Sequence, residues 1–149
     1  MNKKLFKTYF IPTILIVLGG LLLVAIAWLS YLGIYLFVEE VIYHGDYASV
    51  SAGTIRNLST VGLCIITFFV MISKAKEVLK AIFLVGAFST VVISVMLKFY
   101  VHPWIAVMII GIIAILLVIM IFYFKKLWFY YLVIIYSITL GLLYAWPQG

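Results

Sequence analysis

Charge is nearly absent from five long apolar runs, and apart from Lys80 near the start of the third, the few charged residues are confined to the segments before and between them. The runs cover 10–38, 57–73, 78–97, 104–124 and 127–146. A helix needs about 20 mostly apolar residues to cross the roughly 30 Å hydrocarbon core of a bilayer, and runs of this size meet or approach that length. Hydrophobic residues fill 68% of the 149 positions, charged residues only 9%, and mean hydropathy is +1.36, far from a soluble globular composition. The chain therefore reads as an all-α integral membrane protein, residues 1–149 forming one helical bundle with five transmembrane helices. Lipid is its first partner. Barrel strands alternate apolar and polar residues, whereas these runs are apolar on every face. The β-branched stretch from Val107 to Ile121 would favour a strand in water, but in lipid each segment must satisfy its own backbone groups, which favours helix.

Short cytoplasmic segments retain Lys and Arg, so the basic residues set an orientation. Lys3, Lys4 and Lys7 precede the first run, Lys74, Lys76 and Lys80 lie around the gap between the second and third, and Lys125 and Lys126 separate the fourth from the fifth. Arg56 and Lys98 fall on the opposite side. Five crossings then place the N-terminus in the cytoplasm and the C-terminus outside. Fusing the last two runs into one span would bury Lys125 and Lys126 at about 2.5–3.5 kcal/mol each, which disfavours four crossings. The basic start and the Ala25, Ile26, Ala27 sequence resemble a secretory signal, but the apolar run continues through Val38, as an uncleaved anchor would.

The first run is too long for a simple crossing: about 29 residues make a rod of roughly 43 Å, which a 30 Å core holds only at an unusual tilt. Trp28, Tyr31 and Tyr35 have the character of an interfacial belt. Beyond them Ile34, Phe37, Val38, Val41 and Ile42 recur at helical spacing, which predicts a helical extension over Leu32 to Tyr43 at the outer surface. Residues 39–56 make up the outside loop, whose later part is rich in turn formers.

Most of the chemically versatile side chains belong to that outer side: Glu39, Glu40, His44, Asp46, Arg56 and, from the turn after the third run, His102. Glu40 and His44 are four apart, so on a helix they share a face and could hold an ion or a proton. The competing reading is that charges collect in loops because spans exclude them. The middles of the runs hold no Asp, Glu, Lys, Arg or His, the residues that usually mark proton relays and carriers. Cys64, the sole cysteine, reads as a small packing residue.

Small residues recur four apart in two runs, Gly86, Thr90 and Ser94 in the third and Ser137, Gly141 and Ala145 in the fifth. Such stripes let helix backbones approach closely. They could join helices of one chain or of two copies.

The net charge of +6 is divided among short segments beside the membrane and does not suggest nucleic acid. No phosphate-binding loop, nucleophile elbow or zinc-protease motif is present, and the sequence assigns no catalytic residue, metal or cofactor. Three functions remain: a noncatalytic accessory, regulatory or protective subunit of the cell envelope, a small homo-oligomeric channel or carrier, and a membrane enzyme or metal site at the outer surface. Another membrane protein or a second copy is the partner implied by the first two. The preference for Lys over Arg, with much Ile, points to a bacterial cytoplasmic membrane.

Overall fold

Because a bilayer offers no hydrogen bonds to a bare backbone, the helices of such a chain are set by where capping groups occur as much as by hydropathy. A computed structural model describes residues 9–42 and 51–146, and it is helical throughout, with short turns. Helix α1 spans Ile11–Phe37 and continues through a π-helical turn at Val38–Ile42; α2 spans Ala52–Ile72, α3 Glu77–Lys98, α4 Pro103–Tyr123 and α5 Phe129–Ala145. The first four are long and apolar enough to cross a membrane. Helix α5 has 17 residues, or about 26 Å of rise.

Local chemistry explains the boundaries. Pro12 and Pro103 stand in the first turns of α1 and α4, where a missing N–H removes no helical bond. Helix α2 starts more than a turn ahead of its apolar run because Ser51 caps it, its Oγ accepting from the Thr54 N–H at 3.4 Å. Arg56 and Asn57 are therefore helical. Helix α4 ends in a Schellman motif: the Lys126 N–H donates to the Ile121 carbonyl at 3.0 Å and the Lys125 N–H to Phe122 at 3.1 Å. Lys125 takes the left-handed conformation, φ 47°, that glycine usually supplies there.

Contacts between helices fix their directions. Gly19 faces Ile82, Gly20 faces Val85 and Leu23 faces Gly86, so α1 and α3 run parallel. Tyr130 pairs with Glu77, Ser137 with Val85 and Gly141 with Val92, so α5 is also parallel to α3. Thr60 meets Ser94 and Thr67 meets Phe83, which makes α2 antiparallel. The turns at the α2–α3 and α4–α5 connections consequently lie at one end of the bundle, together with Tyr9, whose ring is 5.3 Å from that of Trp128.

Helix α3 is the central element. It carries most of the buried positions, among them Val85, Phe88, Val92 and Met96, and packs chiefly against α5 and α1 and then against α2. The approach is close enough that a Cβ on Gly20 would lie 2.5 Å from Val85 Cγ1 and one on Gly141 would collide with Val92. Helix α4 is peripheral and mostly exposed, with Ala106, Ile110 and Ile121 facing inward.

These contacts predict a graded alanine series. Gly141→Ala should lower thermal stability in detergent by about 1–3 kcal/mol, because the branched Val92 cannot yield easily. A Cβ on Gly62 or Gly111 meets nothing within 4 Å, so Gly62→Ala and Gly111→Ala should be neutral or stabilising by about 0.4–1 kcal/mol. Equal losses at all three positions would show that close approach at Gly141 does not hold α5 in place.

Candidate functional site

The bundle carries polar chemistry in two places, one at each end. At the end holding the α2–α3 and α4–α5 turns, Glu77 stands in the first turn of α3, just ahead of the apolar run 78–97. A carboxylate there is favoured by the free N–H groups of the helix start. Its Oε1 accepts from Lys80 Nζ at 3.0 Å and its Oε2 from the Tyr130 hydroxyl at 2.7 Å, while Lys126 Nζ lies 3.6 Å away. Lys80 and Tyr130 are both buried. Lys126 also sits over the Tyr130 ring, 5.8 Å from its centre. The four side chains form a clasp that joins the α4–α5 turn and the helices α3 and α5.

The other place is a cavity of about 690 Å³ between α1, α2 and α3, within the size range of small-molecule sites. Its walls are mostly apolar. Exposed Ile26, Leu58 and Ile66 belong to its lining, so it opens sideways between α1 and α2. Arg56 lines one end, and Thr60 on the next turn of α2 shares a 3.0 Å hydrogen bond with Ser94 of α3. The Arg56 side chain makes no ion pair among the described residues, and its Nε is buried without a partner, as is the nearby Ser59 Oγ. Gly62 lies in the same wall, where the room beside its backbone belongs to the cavity.

The polar residues expected at the outer side separate into different environments. Glu39 and Glu40 lie in the π-helical turn, the first buried and the second exposed. His44 and Asp46 lie outside the described residues. Arg56 is helical and lines the cavity, and His102 is exposed at the start of α4. Among the described residues no hydrogen bond or ion pair joins Glu39, Glu40, Arg56 and His102, and no three His, Cys, Asp or Glu side chains converge as metal ligands would. The small residues lie inside the chain. Gly86 receives Leu23 of α1, Ser94 binds Thr60 of α2, and Thr90 lines the cavity. Ser137 donates to the Val85 carbonyl at 3.4 Å, Gly141 receives Val92, and Ala145 is buried.

Sequence reading missed the clasp, since Lys80 and Lys126 counted only as topology signals and Glu77 stood apart from the other acids. The available signal was Glu77 followed three residues later by Lys80, a helical ion-pair spacing. The glycines of α1, Gly19 and Gly20, gave no four-residue stripe and were also missed. No protein-family model, curated protein or solved structure matches this chain.

The clasp predicts two outcomes. Glu77→Gln leaves the buried Lys80 charge without its carboxylate and should cost about 1–3 kcal/mol in detergent unfolding. Adding Lys80→Met should restore most of that loss, since an apolar replacement of a buried pair is often neutral or better. Equal unfolding stability of the native chain and Glu77→Gln would remove the clasp as a stabilising element.

Proposed function

We propose that this is a five-span protein of the bacterial cytoplasmic membrane, N-terminus cytoplasmic and C-terminus outside, acting as a noncatalytic accessory, regulatory or protective subunit of the envelope. The observation that carries this reading is the use made of its charged groups. Lys80 and Lys126 both pair with Glu77, joining the α4–α5 turn to the start of α3, instead of facing the cavity. Among the described residues the cavity is lined by one cation and several hydroxyls, with no carboxylate, histidine or cysteine beside them to act as base or nucleophile.

The alternating helix directions support the topology. They bring Lys74, Lys76, Lys80, Lys125 and Lys126 to one end of the bundle and Arg56 and Lys98 to the other, as cytoplasmic retention of basic residues requires. Helix α5, parallel to α1 and α3, is bounded by Trp128 and Trp146, which suit the two interfaces of a slightly thinned bilayer. A channel assembled through the Gly86 or Gly141 stripe is less well supported, because both glycines already receive side chains of their own chain. The peripheral α4, with Met108, Ile112, Ile115 and Ile119 exposed, is the face available to lipid or to another membrane protein.

Reporter fusions should test the topology directly. A reporter active only in the cytoplasm should work when joined after Lys126, and one active only outside should work when joined after Tyr100; the reverse pattern would overturn the orientation. Isolated in mild detergent, the chain should travel in a stoichiometric complex with a second membrane protein. Recovery solely as a monomer would count against the subunit role.

A further inference from the structure

We infer that the cavity between α1, α2 and α3 holds one anionic phospholipid, its phosphate on Arg56 and an acyl chain along α2 toward Ile66. The inference rests on the membrane reading above and adds a ligand to it. Polar groups collect at one end of the cavity only. Arg56 is unpaired, Thr60 and Ser94 lie one turn deeper, and the register of α1 against α3 sets Tyr31 level with Ser94. Toward Ile66, Phe83 and Leu23 the lining is apolar.

Depth selects the occupant. From Arg56 to Ile66 the helical rise is about 15 Å, half of a roughly 30 Å hydrocarbon core and so the depth of one leaflet. A bilayer lipid entering sideways between α1 and α2 would therefore keep its head and chain at their usual levels. A guanidinium in an apolar wall whose buried Nε has no acceptor among the described residues calls for an anion, and a phosphate can take two of its N–H groups at once. Gly62 adds a separate observation: Gly20, Gly86 and Gly141 are filled by neighbouring side chains, and of the described glycines with open space beside them, Gly33, Gly62 and Gly111, it is Gly62 that stands in the cavity wall. It keeps room where an acyl chain would lie.

Trp28 belongs to the cavity lining and serves as a reporter. The chain with Trp104, Trp128 and Trp146 changed to Phe is reconstituted in vesicles of mixed lipid, and Trp28 quenching is compared between chain-brominated phosphatidylglycerol and phosphatidylcholine at equal mole fraction. Trp28 also touches bulk lipid, so the two should share a common background, with an excess for the anionic lipid. A preference of about fivefold is expected, equivalent to about 1 kcal/mol for one basic side chain meeting an anionic lipid. Arg56→Gln should abolish that preference, Arg56→Lys should retain part of it, and Gly62→Leu should reduce the excess while leaving Arg56 in place. Equal quenching by both lipids in the native chain, or a preference that survives Arg56→Gln, overturns the site. Displacement of the brominated lipid by an equimolar long-chain prenyl phosphate overturns its assignment to a phospholipid. Absence of quenching by any lipid would instead mean that the chain had not inserted, a failure of the membrane reading.

Discussion

In lipid the hydrophobic effect does not drive apolar helices together, so a bundle depends on surfaces that fit more closely than lipid fits against either of them. Here that constraint is met along α3. Gly20 and Gly141 on its two neighbours let Val85 and Val92 sink against bare backbone, while Gly86 on α3 admits Leu23. Val85 and Val92 are fully buried despite belonging to a chain most of whose apolar side chains face outward. The branched valines are stiff, so each insertion fixes rotation and height together. Where α4 lacks such a fit, it remains at the edge, held by short turns at both ends and by a few inward residues.

Polar groups within this apolar frame meet two fates. Thr67 donates to the Phe83 carbonyl, Ser137 to that of Val85, and Tyr136 to that of Val17, each tying one helix to the next. These bonds are modest individually, about 1 kcal/mol or less, yet each is directional and names a register. Arg56 and Ser59 are different, since they lie beside the cavity with atoms left unpartnered. A guanidinium near the end of a helix can reach toward headgroups, but the buried Nε of Arg56 lacks an acceptor among the described residues. The contrast between satisfied and unsatisfied groups, more than the number of polar residues, separates the bundle's fastening from its candidate binding function.

Much of the architecture was legible because hydropathy and capping act locally. Long apolar stretches bounded by Lys pairs and prolines gave helices with few alternatives, and Gly86, Ser137 and Gly141 could be recognised as contact positions from their spacing alone. What the sequence hid was which helix each would meet. Spacing says that Gly141 lies on the same face as Ser137; it does not say that Val92 fills it, because that depends on the relative rotation of two helices far apart in the chain. The start of α2 was obscured for a different reason: Ser51 and the turn that follows are polar, so a hydropathy boundary falls inside the helix that the cap begins. The clasp was hidden because Lys80 and Lys126 carry a topological signal whether or not they pair, and only tertiary structure brings Tyr130 to Glu77. The cavity was not legible at all, since an empty volume is a property of how three helices diverge and has no residue of its own.

The two ends of the bundle are nevertheless one problem in register. Helix α5 is fixed against α3 at successive heights by Tyr130 on Glu77, Ser137 on the Val85 carbonyl and Gly141 on Val92, and its next turn brings Tyr144 into the lining of the cavity. A helix cannot slip at one of these heights without moving at the others, because its rise per residue is fixed by its own hydrogen bonds. The clasp therefore does more than hold the α4–α5 turn against the start of α3. It is the first of three contacts that together set the height of a short helix. Through that shared register a carboxylate at one end of the bundle helps to keep Tyr144 in the lining of the cavity toward the other end.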